Sequence, residues 1–304
     1  MKTLVRMIVL LALIGAGLFW YLSEPTRLSA LPADLNGYTA DVENGERIFY
    51  AGGCSSCHAA PEAENKTELP GGVRLASDFG TFIAPNISPH PQDGIGSWST
   101  LDFINAMHYG ASPGGSHYYP AFPYTSYQRM RLEDLVDLKV YLDTLPQVAG
   151  KAPDHEVGFP FNVRRGLGLW KLLYLDGERF EPDPDASDEI NRGAYLVTGP
   201  GHCGECHTPR DFIGGLRRSQ WLAGAPNPEG KGIIPNITPH EQGIGSWLAE
   251  DIAYALESGF TPDYDTLGGS MGAVVGNTAK LPAEDRAAMA AYLKSIPALP
   301  NGFQ

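Results

Sequence analysis

Cys54-Ser55-Ser56-Cys57-His58 and Cys203-Gly204-Glu205-Cys206-His207 are two copies of one word, C-x-x-C-H. Two thiols one helical turn apart can each add to a vinyl group of the same porphyrin, and the adjacent imidazole then reaches its iron. The spacing reads as attachment of a c-type haem. Zinc ribbons keep their C-x-x-C pairs roughly 15–20 residues apart, far closer than these two. A thioredoxin-like dithiol needs a βαβ setting, and neither motif follows a strand-like run. Two words imply two covalently bound haem c groups, one on Cys54 and Cys57, the other on Cys203 and Cys206. His58 and His207 are then the proximal iron ligands. The motifs use all four cysteines, so no disulfide framework is available. Thioethers also suit a compartment that would oxidise unprotected thiols.

Lys2 and Arg6 flank an apolar run from Met7 to Leu22 that ends in Phe19-Trp20-Tyr21. A cleaved signal peptide has an apolar stretch of roughly 7–15 residues. With Thr3 to Val5 added, this run approaches the roughly 17–25 residues that cross a bilayer. The aromatic cluster sits where an interfacial belt lies. Leu22 to Arg27 is no clean cleavage site, although Ser29-Ala30-Leu31-Pro32-Ala33 offers one, and the expectation is an uncleaved membrane anchor over residues 1–27. Basic residues keep the N-terminal end cytoplasmic. That predicts a single-pass protein of the bacterial inner membrane with its later domains in the periplasm. The net charge is −13, and three of the basic groups (Lys2, Arg6, Arg27) lie in the first thirty residues. The exported part is therefore acidic, which argues against nucleic acid as a partner and suits steering of a basic redox protein.

The chain repeats itself beyond the C-x-x-C-H words. Ala84-Pro85-Asn86-Ile87-Ser88-Pro89-His90 returns as Ile234-Pro235-Asn236-Ile237-Thr238-Pro239-His240, and Gly94-Ile95-Gly96-Ser97-Trp98 as Gly243-Ile244-Gly245-Ser246-Trp247. Each half is expected to be mostly helical. A helix precedes each C-x-x-C-H (41–50 and 189–197), another follows each Trp (101–110 and 250–259), and a closing helix carries Tyr141-Leu142 or Tyr292-Leu293. Leu132, Leu135, Leu138, Leu142 and Leu145 recur at helical spacing, and Pro282 is expected at the first position of the second closing helix. The units span 38–148 and 188–299, joined by a proline-rich linker, 149–187. Within that linker, 163–175 reads as a helix packed across both units, with a membrane-surface helix as the other reading. The Pro-Asn-Ile loops are placed on the proximal side, where a backbone carbonyl can accept from Nδ1 of His58 or His207.

A thioether in the sixth position raises a haem potential. Of six methionines, Met1 and Met7 belong to the membrane end and Met107 and Met289 to helix interiors. Met271, in the loop Gly268-Gly269-Ser270-Met271-Gly272, is expected to ligate the second iron. For the first iron the alternatives are Met130, His117 or an open position.

With these motifs in hand, the chain resembles the cytochrome c subunits of bacterial periplasmic alcohol and gluconate dehydrogenases. The resemblance rests on both C-x-x-C-H words, the Pro-Asn-Ile-Ser/Thr-Pro loops with Gly-Ile-Gly-Ser-Trp, and Tyr119-Pro120-Ala121-Phe122-Pro123-Tyr124. It implies an all-α fold of tandem cytochrome c domains behind an N-terminal transmembrane helix. It further implies electron transfer from a periplasmic dehydrogenase to a membrane-bound or soluble respiratory acceptor, as a carrier rather than an enzyme. There are two departures: the family usually carries three haems, and it commonly has Met where this chain has Phe122. The second departure keeps open a dihaem redox enzyme, peroxidase-like or thiosulfate-oxidising, working at an open or unusually ligated first haem.

Overall fold

A computed structural model describes residues 1–303 other than 62, 229 and 231. The first stretch holds α1 (Lys2–Leu22), α2 (Val42–Ala51), α3 (Cys54–His58), β1 (Arg74–Ser77), β2 (Gly80–Ile83), α4 (Thr100–Tyr109), α5 (Tyr124–Tyr127) and α6 (Leu132–Thr144). After α7 (Gly166–Tyr174) the order recurs: α8 (Asp188–Thr198), α9 (Gly204–His207), β3 (Ala225–Pro226), β4 (Ile233–Ile234), α10 (Ala249–Ser258), α11 (Ser270–Thr278) and α12 (Ala283–Ser295).

Helix ends follow local chemistry. Asp41 caps α2 by accepting from the N–H groups of Glu43 and Asn44, and Ser187 caps α8 by accepting from Ile190. Ser99 and Asp102 form a reciprocal capping box at α4, satisfying two orphan donors. Gly110 and Gly259 end α4 and α10 with φ of 58° and 78°, left-handed values at which glycine carries no Cβ penalty. Pro282 stands one residue before α12, as its N-cap and not at its first turn.

In both halves the first and last helices cross at a glycine. A Cβ on Gly45 would lie 2.2 Å from the Asp137 carbonyl oxygen, and one on Gly193 1.8 Å from that of Ala288. The absent side chains let α2 rest directly on α6, and α8 on α12. Around the first crossing Ile48, Phe49, Ile104, Leu135, Leu138 and Leu142 are buried; around the second, Tyr195, Leu196, Leu222, Ile252, Met289 and Leu293.

Two short antiparallel hairpins, β1–β2 and β3–β4, were not expected. They are too short to show alternation, and the first is extended by the linker, where Thr81 and Glu156 exchange both backbone hydrogen bonds (3.0 and 2.8 Å).

α7 packs across both halves, as the linker reading anticipated. Lys171 Nζ donates to the carbonyls of Tyr109 and Gly110 at the end of α4 (2.6 and 2.8 Å). On another side Trp170 Nε1 donates to the Ile213 carbonyl (2.9 Å) and Tyr174 to Asp211 (2.5 Å). α1 is apolar, 21 residues long and exposed along its length. A helix of that size measures ~30 Å, enough to cross a hydrocarbon core.

Candidate functional site

Each C-x-x-C-H word folds as a helical turn, α3 and α9. Gly53, at φ 55°, turns the chain into the first, and His202, at φ 39°, precedes the second. Burial pushes the thiols of Cys54 and Cys203 up to about 12, with Cys57 and Cys206 respectively adding to the effect.

The two imidazoles are held identically. His58 Nδ1 lies 2.8 Å from the carbonyl of Pro85, and His207 Nδ1 2.8 Å from that of Pro235. A carbonyl accepts only, so Nδ1 carries the proton and Nε2 keeps its lone pair. Burial lowers both pKa values, against the raising effect of the carbonyl bonds, so both rings are neutral at pH 7. A neutral imidazole with a fixed tautomer is the donor that haem iron requires, and paired thiols on one turn are what its vinyl groups require. The residues present therefore fit covalent haem c.

The loops that supply those carbonyls are braced alike. Gly71 N–H donates to the His58 carbonyl (2.7 Å) and Gly224 N–H to that of His207 (2.8 Å). Asn86 Oδ1 accepts from Ser88 N–H, and Asn236 Oδ1 from Thr238 N–H, both at 2.8 Å. Asn86 also donates to the Val148 carbonyl, and Asn236 to that of Leu299. His90 and His240 staple their own loops, accepting from Asp93 N–H and Gln242 N–H at 3.1 Å.

The residues expected at the sixth positions fall as follows. Met271 is half-buried in the first turn of α11, not in a flexible loop as its glycine-rich surroundings suggested. Gly269 makes the bend, and Ala273 to Val275 carry the helix on. Tyr118 N–H bonds the Gly110 carbonyl just as Leu267 N–H bonds that of Gly259, both at 2.8 Å. Four residues further on stand Phe122 and Met271, so Phe122 occupies the place of Met271 in the first half. Met130 is fully buried and lines a small cavity with Cys54, Met107 and Tyr127. His117 is drawn elsewhere: its Nε2 lies 2.9 Å from the Ser23 carbonyl, where α1 ends.

The two motifs grip each other's units, a relation that local sequence reading does not reach. Ser55 donates to Asn277 Oδ1 and Asn277 Nδ2 donates to Ser56, both at 3.0 Å, joining the first motif to α11. In return Glu205 Oε1 accepts from Thr125 (2.5 Å) and Ser126 (2.8 Å) of α5. Burial alone would raise the Glu205 carboxyl; Arg210 at 2.6 Å and the two hydroxyls hold it below its ordinary value. Between the motifs His202 Nε2 meets the Gly52 carbonyl (3.2 Å), and the His202 ring lies edge-on to Tyr127 at 5.6 Å. The first motif and the second thus stand back to back. Arg47 of α2 and Arg192 of α8 converge on the buried Asp285 at 2.5 and 2.8 Å, tying the same units at another point.

Paired thiols, oriented imidazoles and crossed terminal helices define a c-type cytochrome. The cytochrome c family model matches residues 42–146. A dihaem c-type cytochrome of Cereibacter sphaeroides is 52% identical over 300 residues, covering 98% of this chain and 99% of that protein. The chain belongs to the cytochrome c family. The cytochrome c subunit of a quinone-dependent alcohol dehydrogenase from Gluconacetobacter polyoxogenes is 35% identical, over 90% of this chain and 59% of its own length. The cytochrome c subunit of gluconate 2-dehydrogenase from Pantoea cypripedii is 31% identical, over 87% of this chain and 61% of its own. Against these dehydrogenase subunits the chain spans less than two thirds of the relative.

Proposed function

We propose that this chain is a dihaem cytochrome c that carries electrons in the periplasm from a dehydrogenase to a respiratory-chain acceptor, held at the inner membrane by α1. The observation that carries this reading is the pair of equivalent turns, each with its histidine Nδ1 fixed 2.8 Å from a proline carbonyl. Haem supplies the one-electron couple. Cys54 and Cys57 hold one group and Cys203 and Cys206 the other; His58 and His207 present Nε2 to the irons. Met271 would be a further ligand of the second iron. Met130 would be that of the first, because it shares a cavity with Cys54 whereas His117 is engaged at Ser23.

The remaining residues position and insulate. Pro85 and Pro235 keep the imidazoles in one tautomer, and Asn277, Glu205 and His202 fix one motif against the other. Motifs held in fixed relation by these hydrogen bonds reduce the rearrangement that accompanies gain or loss of an electron. The dehydrogenase relatives by name support a dehydrogenase donor, and no cysteine is left over as the extra ligand that a thiosulfate-oxidising site would call on.

The test is spectroscopic. The purified protein should carry two haems by mass, one being lost in Cys54→Ser/Cys57→Ser and the other in Cys203→Ser/Cys206→Ser. Both haems should be low-spin and inert to carbon monoxide. A high-spin ferric haem with peroxide-dependent turnover would replace the carrier reading by an enzyme.

A further inference from the structure

α7 has three sides, and two are occupied. Gly168 lies against the end of α1, where a Cβ would meet the Ser23 backbone at 2.5 Å, and Lys171 is buried on the end of α4. Trp170 and Tyr174 contact the second unit. The third side is bare and apolar: Leu169, Leu172 and Leu173 are 37%, 62% and 69% exposed. In the segment just before the helix, Phe159 is 83% and Phe161 48% exposed.

This face is joined to the membrane end of the chain. The guanidinium of Arg165, at the start of α7, stacks 4.1 Å from the ring centroid of Trp20 and donates to the Trp20 carbonyl (2.6 Å). It also bonds Ser23 (2.9 Å) and Glu24 (2.5 Å). Ser23 is completely buried and accepts at its carbonyl from His117. The exit of α1 is thus clamped to the body of the protein, with α7 starting beside Trp20. Trp and Tyr at the end of a span sit at headgroup level. A helix rises about 1.5 Å per residue, which puts Leu173 only ~12 Å along from Arg165.

We propose that Leu169, Leu172, Leu173, Phe159 and Phe161 form an interfacial platform seated at the headgroup–acyl boundary of the membrane that α1 crosses. The haem-bearing body then rests on the bilayer surface and does not swing on a tether. Leucines and phenylalanines beside an aromatic anchor are the side chains that partition to that boundary. The proposal rests on α1 being a retained anchor, and the experiment separates the two claims.

Leu172→Cys, Phe159→Cys and Leu13→Cys are made singly in the full-length, haem-loaded protein, whose four native cysteines are consumed by thioethers. Each is labelled with an environment-sensitive fluorophore and reconstituted into vesicles of phosphatidylcholine and phosphatidylglycerol. The vesicles contain lipids with a nitroxide either near the headgroup or near the chain end. The labels at 172 and 159 should lose most of their fluorescence to the shallow nitroxide, and the label at 13 to the deep one. Quenching at 13 with none at 172 or 159 would overturn the platform while keeping the anchor. Absence of quenching at all three would overturn both. Protection of 172 that arises only on adding a dehydrogenase subunit, or on raising protein concentration without lipid, would make the face a protein interface and refute the proposal.

Discussion

Gly193→Ala should push α8 and α12 apart and destabilise the second unit. The new Cβ would stand 1.8 Å from the Ala288 carbonyl oxygen and 2.9 Å from Tyr292 Cβ, whereas ordinary contact begins at 3.4 Å. The obstacle is helix backbone, which cannot rotate away, so the axes must separate by about 1.6 Å in an interior packed like a crystal. Alanine in a helix is favoured over glycine by ~1 kcal/mol, and overpacking costs roughly 1–3 kcal/mol. The fully buried Leu196 and the buried Met289 also lose contacts as the helices part. That places the cost at or beyond the top of the overpacking range and leaves a net loss of ~2 kcal/mol. Urea unfolding of the haem-loaded protein, followed by far-ultraviolet circular dichroism and haem absorbance, should show a lower midpoint with the slope unchanged. An equal or higher midpoint would refute the reasoning, because it would mean that the helices do not cross at this residue. Gly45→Ala should do the same in the first unit, where the corresponding gap is 2.2 Å.

Burial alone would raise the Asp285 carboxyl, but hydrogen bonds from Arg192 and Arg47 hold it below the usual 3.8. Its folded pKa lies below its unfolded one, so the stability it contributes is present above about pH 4 and lost as pH falls through the folded value. Asp285→Asn should flatten that acid limb in urea midpoints measured from pH 6 to pH 2. Glu205→Ala strands the buried hydroxyls of Thr125 and Ser126, a cost of ~2 kcal/mol for the two groups left unpaired, while the exposed Arg210 regains water; thermal unfolding at pH 7 measures it. Met271→Leu removes the thioether assigned to the second iron. One of the two haems should become high-spin and bind carbon monoxide, and titration should show that haem's potential falling. Arg165→Ala should release the exit of α1, seen as faster protease cleavage between residues 23 and 28.

Much of the site was legible because its chemistry is local. C-x-x-C-H is one turn of helix, and a Pro-Asn-Ile loop repeated 27 and 28 residues after the motif histidines announced the carbonyls that Pro85 and Pro235 supply. Helix ends fell within a residue or two where Asp41, Ser99 and Ser187 cap and where Gly110 and Gly259 terminate. Met271 was misplaced in a loop since Gly268, Gly269, Gly272 and Gly276 lower helix propensity. Packing of α11 against α10 and the anchoring of Asn277 on Ser55 and Ser56 override it. The contacts of Glu205 with Thr125 and of Asn277 with Ser55 join positions 80 and 222 residues apart. No periodicity or spacing encodes such pairs; they exist only once two units have met.

The middle residues of a C-x-x-C-H word are often treated as spacers, interchangeable so long as the thiols keep their turn. Here Ser-Ser and Gly-Glu are the matched halves of a lock, each answered by hydroxyls or an amide from the opposite module. Transplanting either module into another scaffold, or exchanging the two pentapeptides, would therefore preserve every thiol and imidazole and still produce a mismatched pair. Anyone building chimeras from this chain must move Asn277 with the first word and Thr125 with Ser126 alongside the second.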